Sequence, residues 1–158
     1  VGELWLRGPC IASGYWNQPE TTAKAFRNGW FITGDAAMMD QDGFYYIVDR
    51  KKDMYISGGE NVYPAEVEAA LAELSQVGEC AVVGVPDERW GEVGRVYVVP
   101  VPGRSISAQE LIEHCARRLA KFKVPKTAVI TDVLPRTASG KVQKHVLRRR
   151  ALEELAAS

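Results

Sequence analysis

The sequence predicts an α+β fold in two unequal parts, and three observations carry that reading. The first third consists of short aromatic and β-branched runs separated by turn residues, the pattern of strands. After about residue 50, strand runs alternate with helical patterns. This predicts a small mixed α/β domain of about three strands, with helices on the sheet, plus a β-hairpin. Between the two lies a run of charge, Asp49-Arg50-Lys51-Lys52-Asp53, and a charged segment between packed regions marks a boundary that few contacts cross. The expected division is residues 1–49, mostly β, and residues 50–158.

Residues 2–7 alternate well enough for a short strand that Gly8-Pro9 closes. A turn-rich loop follows, then a short helix over 20–26 ended by Asn28-Gly29. Residues 29–35 predict a strand running into a Gly34-Asp35 turn. Asp40-Gln41-Asp42-Gly43 is a hairpin signal before the strand 44–48. Beyond the charged run, Tyr55 and Ile56 lead into the turn Ser57-Gly58-Gly59-Glu60-Asn61. Pro64 stands where a helix start tolerates proline, and Val67, Leu71 and Leu74 then share one helical face. Residues 79–85, 94–101 and 127–131 read as strands. Ser107 and Glu110 have the spacing of a capping box, and Leu111, Cys115 and Leu119 give that helix a buried face. Residues 134–144, LPRTASGKVQK, form a loop around Gly140-Lys141. Residues 146–155 close the chain as a helix with Leu147, Ala151 and Leu155 on one side.

Composition excludes several classes. The chain has 158 residues, 46% hydrophobic and 25% charged, which is ordinary for a globular protein. Lys plus Arg equals Asp plus Glu at 20 each, so no overall field favours nucleic acid or an anionic membrane. No apolar run approaches membrane-spanning length, and no signal peptide is legible. The three cysteines and two histidines are too scattered for a disulfide framework or a metal site. Cys80 and Cys115 read as buried thiols and His114 as an exposed helix residue; a reducing cytoplasm fits. Val1-Gly2-Glu3 leads straight into Leu4-Trp5-Leu6, so the chain is expected to be a fragment that starts inside a folded unit.

Chemistry, if present, rests on few residues. Lys141 in a polar loop can neutralise a phosphate or carboxylate as a point charge. It is not a phosphate-binding loop of the nucleotidase type, because Pro135 and Val142 occupy the places of that motif's glycine and hydroxyl residue. Asp35 can accept two hydroxyl hydrogen bonds, as ribose recognition requires, or cap its own turn. Gly58-Gly59 allows positive φ and close approach of a backbone to another molecule. Arg148-Arg149-Arg150 reads as a solvated helix face. Taken singly, a solvated connector, a hairpin turn and a solvated lysine account for all of these residues. No Ser-His-Asp arrangement can be assembled.

In order along the chain, GWFITGD, YIVDRKKDMYISGGENVYPAEVE and LPRTASGKVQK resemble the carboxy-terminal part of the adenylate-forming enzymes, and among these the AMP-forming acyl-CoA synthetases. The resemblance covers nearly the whole chain. It implies a short remnant of a large amino-terminal domain followed by a mobile lid domain. It implies an acid–thiol ligase that joins a carboxylic acid to ATP, then passes the acyl group to the thiol of CoA. Asp35 matches the aspartate that holds the ribose hydroxyls, and Arg50 an arginine at the nucleotide. Lys52 falls on the hinge. Gly58, Gly59, Glu60 and Asn61 match the loop along the pantetheine tunnel, and Lys141 the lysine that bridges the carboxylate and the ATP phosphates. Mg2+ would be held in the preceding part of the enzyme, where the acyl pocket also lies, so the fragment is expected to be inactive alone. Lys141 becomes a plausible acetylation target, since acetylation would remove its charge. A non-catalytic binding module with the lid fold, or part of a peptide-synthetase adenylation domain, are the alternatives. The acid, the acceptor and the oligomeric state are not readable from these motifs.

Overall fold

The computed structural model describes residues 1–157 and divides the chain into two compact units, Val1–Lys52 and Asp53–Ser158. The first unit is a four-stranded antiparallel sheet. Its elements are β1 (Gly2–Leu6), α1 (Pro19–Ala25), β2 (Phe26–Arg27), β3 (Trp30–Met39) and β4 (Tyr45–Arg50). The long β3 pairs with the other three strands. The predicted turn at Asp40 joins β3 to β4. The Asp40 carboxylate accepts hydrogen bonds from the backbone N–H of Asp42 and Phe44 at 3.0 and 2.9 Å, and Gly43 takes φ +86°. Only Ala36 and Ala37 are buried core residues among the described residues of this unit, while Trp5, Met38, Met39, Phe44, Tyr45 and Ile47 are exposed.

Gly34 and Asp35 do not end a strand in a turn; β3 runs through them to Met39. Gly34 adopts φ +72°, so the turn-forming conformation is present. Pairing on both sides of β3 nevertheless keeps the strand continuous, and the irregularity appears as a register shift after Ala36.

The second unit is a three-layer sandwich. Its elements are β5 (Tyr55–Ser57), β6 (Glu60–Val62), α2 (Pro64–Ala72), β7 (Val77–Asp87), β8 (Gly91–Pro100), α3 (Ala108–Arg118), β9 (Thr127–Ile130) and α4 (Lys144–Ala156). The strands form one five-stranded sheet, ordered β6-β5-β8-β7 with β9 also on β8. Among the described residues only the β8–β9 pairing is parallel. The expected three strands are thus β7, β8 and β9, and the expected hairpin β5–β6 extends the same sheet.

Strand alternation sorts the core. Val82, Val96 and Val98 face α2 and α3, where they pack with Val67, Leu71, Leu111 and Cys115. Ala81, Val83, Val85, Val93 and Tyr97 face α4 and pack with Leu147 and Ala151. Leu155, expected on that buried face, is exposed near the end of α4. His114 is also corrected: its Nε2 lies 2.9 Å from the Ala70 carbonyl, and the ring is half-buried between α3 and α2. A carbonyl only accepts, so Nε2 carries the proton in this contact.

The capping box of α3 is formed as the spacing predicts. Ser107 Oγ accepts from the Glu110 N–H at 3.2 Å, and the Glu110 carboxylate accepts from the Ser107 N–H at 2.8 Å. The hydrogen bonds from the Ser107 hydroxyl and backbone hold the Glu110 carboxyl below its ordinary value. A lowered folded-state pKa stabilises the fold above the unfolded carboxylate pKa of about 4.3, and that contribution fades as pH falls through the folded value. Glu110→Gln should therefore lose stability relative to the parent at pH 7 and converge with it in acid. Urea unfolding at pH 7 and pH 3 checks this; an equal deficit at both would remove the carboxylate's role.

Candidate functional site

In the first unit, Asp35 and Arg50 are register partners on β3 and β4. Arg50 Nε lies 3.1 Å from Asp35 Oδ1, with Asp35 the more covered of the two. Asp35 does not cap its own turn through its carboxylate. The local bond runs the other way: its backbone N–H donates to Thr33 Oγ1 at 3.0 Å, and Thr33 Oγ1 donates to the Leu4 carbonyl at 2.8 Å. Thr33 thus secures the strand behind Asp35, leaving the carboxylate to Arg50 and to whatever approaches it. Lys51 is bound to Glu3 at 3.0 Å, and this contact holds the Glu3 carboxyl below its usual range. Lys52 is exposed in the turn at the end of this unit.

In the second unit, Gly58 and Gly59 are the two-residue turn between β5 and β6, at φ +61° and +86°. Two successive positive φ values are what the primed hairpin turns require. The two glycines differ in surroundings. The Gly58 N–H donates to the Trp90 carbonyl at 2.8 Å, and a Cβ on Gly58 would stand 2.7 Å from the Trp90 ring. A Cβ on Gly59 would meet nothing within 4 Å. Glu60 and Asn61 are exposed beside it. The hairpin therefore presents an open backbone face at Gly59 and is braced from behind at Gly58. Trp90 was not singled out by sequence reasoning. Its ring is flanked by Arg89 at 5.9 Å and Lys126 at 5.3 Å, and Lys126 is far from it in the sequence.

Lys141 is exposed on a tight turn. Gly140 takes φ +84°, the Thr137 N–H donates to the Lys141 carbonyl at 2.9 Å, and Arg136 bridges to Val142. Among the described residues its ammonium has no ion-pair partner, whereas its neighbours are engaged. Arg136 pairs with Glu79 at 2.6 Å, Lys144 with Glu68 at 2.7 Å and Arg148 with Glu92 at 2.7 Å. Arg148 is therefore anchored to β8 rather than simply solvated. Sequestering the nearby carboxylates leaves Lys141 as an uncompensated positive point at a fixed position.

The Cys80 and Cys115 thiols offer no rival chemistry. Burial pushes the Cys80 thiol up to about 12, with the Glu68 charge adding to it, and the Cys115 thiol up to about 11. Neither supplies thiolate at neutral pH. Among the described residues no group of three or more His, Cys, Asp or Glu is placed to hold a metal ion.

Residues 66–141 match the AMP-binding enzyme C-terminal domain, a stretch running from α2 to Lys141 itself. The second unit belongs to the AMP-binding enzyme C-terminal domains. Proteins similar to the chain include CoA ligases. Feruloyl-CoA synthase of Amycolatopsis sp is 54% identical over 149 residues, covering 94% of this chain and 30% of the relative. A long-chain-fatty-acid–CoA ligase of Mycobacterium tuberculosis is 47% identical over 147 residues, covering 93% and 29%. The o-succinylbenzoate CoA synthetase of Bacillus subtilis, solved in complex with its acyl-adenylate intermediate, superposes with a TM-score of 0.87 at 42% identity, covering 93% of this chain and 30% of that one. The chain thus spans about 30% of the length of the curated relatives it matches. In this AMP-binding enzyme domain the Gly58-Gly59 hairpin lies just before the matched stretch, and the Lys141 turn closes it.

Proposed function

We propose that this chain is the carboxy-terminal part of an ATP-dependent, AMP-forming acyl-CoA synthetase in the cytoplasm, and that the whole enzyme activates a carboxylic acid as its adenylate and transfers the acyl group to CoA. The observation that carries this reading is the Lys141 ammonium, without an ion-pair partner among the described residues, on a braced turn whose other cations, Arg136 and Lys144, are paired. As carboxylate oxygen approaches phosphate, negative charge accumulates, and a fixed ammonium offsets it without moving a proton. Asp35, oriented by Arg50, accepts the ribose hydroxyls of the nucleotide. Gly59 offers bare backbone to the narrow pantetheine arm. Lys52 is the hinge about which the second unit turns between the two half-reactions, a task that a few charged, exposed residues can perform by absorbing φ/ψ changes. Mg2+ is held by the preceding part of the enzyme. The exposed large apolar residues of the first unit, among them Trp5, Met38 and Tyr45, support a larger core beside it in that enzyme.

The test uses the intact enzyme and a panel of carboxylic acids. Acid-dependent ATP–pyrophosphate exchange is expected, followed by CoA-dependent release of AMP. Exchange with no acid on the panel would favour a non-catalytic module. Exchange without CoA-dependent turnover would favour a carrier-protein acceptor. Gly59→Trp should leave exchange intact and lower thioester formation by about a hundredfold, because a side chain there obstructs a required close approach. Equal loss of both half-reactions in that variant would remove the hairpin from the thiol's path.

A further inference from the structure

The Lys141 turn is tied down at both feet, and both ties end on the same strand edge. β7 is the outer strand of the five-stranded sheet. Before the turn, Arg136 spans between Glu79 on β7, at 2.6 Å, and the carbonyl of Gly140, the residue that precedes Lys141. One guanidinium thus joins the sheet to the tip of the turn, a task suited to its planar fork of donors. After the turn, Lys144 opens α4 and its Nζ lies 2.7 Å from Glu68 Oε1. That carboxylate is itself fixed: Glu68 Oε1 accepts the outward-pointing N–H of Val82 on β7 at 2.8 Å. The Glu68–Lys144 pair is well covered, at 22% and 18% side-chain exposure, so it is less screened than an ordinary surface pair.

We infer that Glu79 and Glu68 are positioning residues for Lys141: through Arg136 and Lys144 they register the lysine turn on the edge of β7. The inference rests on the assignment of Lys141 above. A charge that must meet a developing charge at one point acts only if it is held there, and a displacement of about 1 Å can cost on the order of a hundredfold in rate. The two ties bracket Lys141 within nine residues of chain, 136–144. Neither glutamate touches the reacting atoms; each acts through a cation.

The experiment uses the intact enzyme and both half-reactions, with Lys141→Ala run in parallel. Glu79→Gln and Glu68→Gln keep side-chain shape, and the latter keeps an acceptor for the Val82 N–H, but each removes the charge that holds its cation. Each is expected to lower the rate of acyl-adenylate formation by about tenfold with little change in KM for ATP, and the pair together by more. Thioester formation from preformed acyl-adenylate should stay at the parent rate. Lys144→Arg, which preserves the pair, should stay near the parent in both. If Lys141→Ala loses adenylation while the double glutamine variant keeps it, the positioning role is overturned and the Lys141 assignment stands. If both half-reactions fall in parallel with the melting temperature, the ties are merely structural and the inference is also overturned. If Lys141→Ala retains adenylation, the underlying assignment fails and this inference falls with it.

Discussion

Lys141→Ala in the intact enzyme is expected to lower acyl-adenylate formation by about two to three orders of magnitude, the scale of removing one fixed charge-stabilising donor. Thioester formation from preformed acyl-adenylate should survive, because that step needs no charge brought between carboxylate and phosphate. Stability should change little: the side chain is exposed, and its ammonium has no ion-pair partner among the described residues. Lys141→Arg should recover only part of the rate. It keeps the charge, but as a broader planar fork that meets a single point less closely. Pyrophosphate exchange reads the first half-reaction, and single-turnover CoA transfer from synthetic acyl-adenylate reads the second. A parallel fall in both would contradict the division of labour between the Lys141 turn and the Gly59 hairpin.

Gly84→Ala should cost about 3 kcal/mol of stability, the upper end of ordinary overpacking and roughly a hundredfold in the folded-to-unfolded ratio. Gly84 and Gly94 face each other on β7 and β8, and the Tyr55 side chain lies across both. A Cβ on Gly84 would stand 2.8 Å from Tyr55 Cγ, and nearer still to its Cβ; a Cβ on Gly94 would stand 2.5 Å from Tyr55 Oη. The two positions therefore respond differently to the hydroxyl. Tyr55 is 1% exposed and its hydroxyl has no hydrogen-bond partner among the described residues, with burial raising its pKa well above the ordinary tyrosine value. Tyr55→Phe alone should be neutral or slightly stabilising, since it removes an unsatisfied buried group. It should also rescue Gly94→Ala, whose clash is with the oxygen, and leave Gly84→Ala unrescued. A double-mutant cycle by urea unfolding measures both couplings. Equal rescue at the two glycines would contradict the seating of Tyr55.

Much of the architecture was legible because local signals agreed with the tertiary result. Pro64, the Ser107/Glu110 capping box, the Asp40–Gly43 turn and the alternation of β7 and β8 each specify an element by short-range physics. Gly34-Asp35 misled because a glycine at positive φ is usually a turn, and only pairing on both sides of β3 made it an irregularity inside a strand. His114 misled because its helix face is shared with α2, a contact between residues 44 apart in the chain. For the site, residue types pointed to lysine, aspartate and paired glycines, but each had an equally good local explanation. Only the three motifs in order implied a shared role.

By itself the sequence determined the element types, the charged boundary at residues 49–53, the glycine hairpin and the place of Lys141, since these depend on neighbours within a few residues. The tertiary structure decided what those residues are free to do. It paired Arg136, Lys144 and Arg148 with carboxylates on α2, β7 and β8 and left Lys141 without one among the described residues. It braced Gly58 against Trp90 and left Gly59 open. Pairing and obstruction depend on groups brought together from 32 to 76 positions apart, and no local pattern encodes which partner arrives.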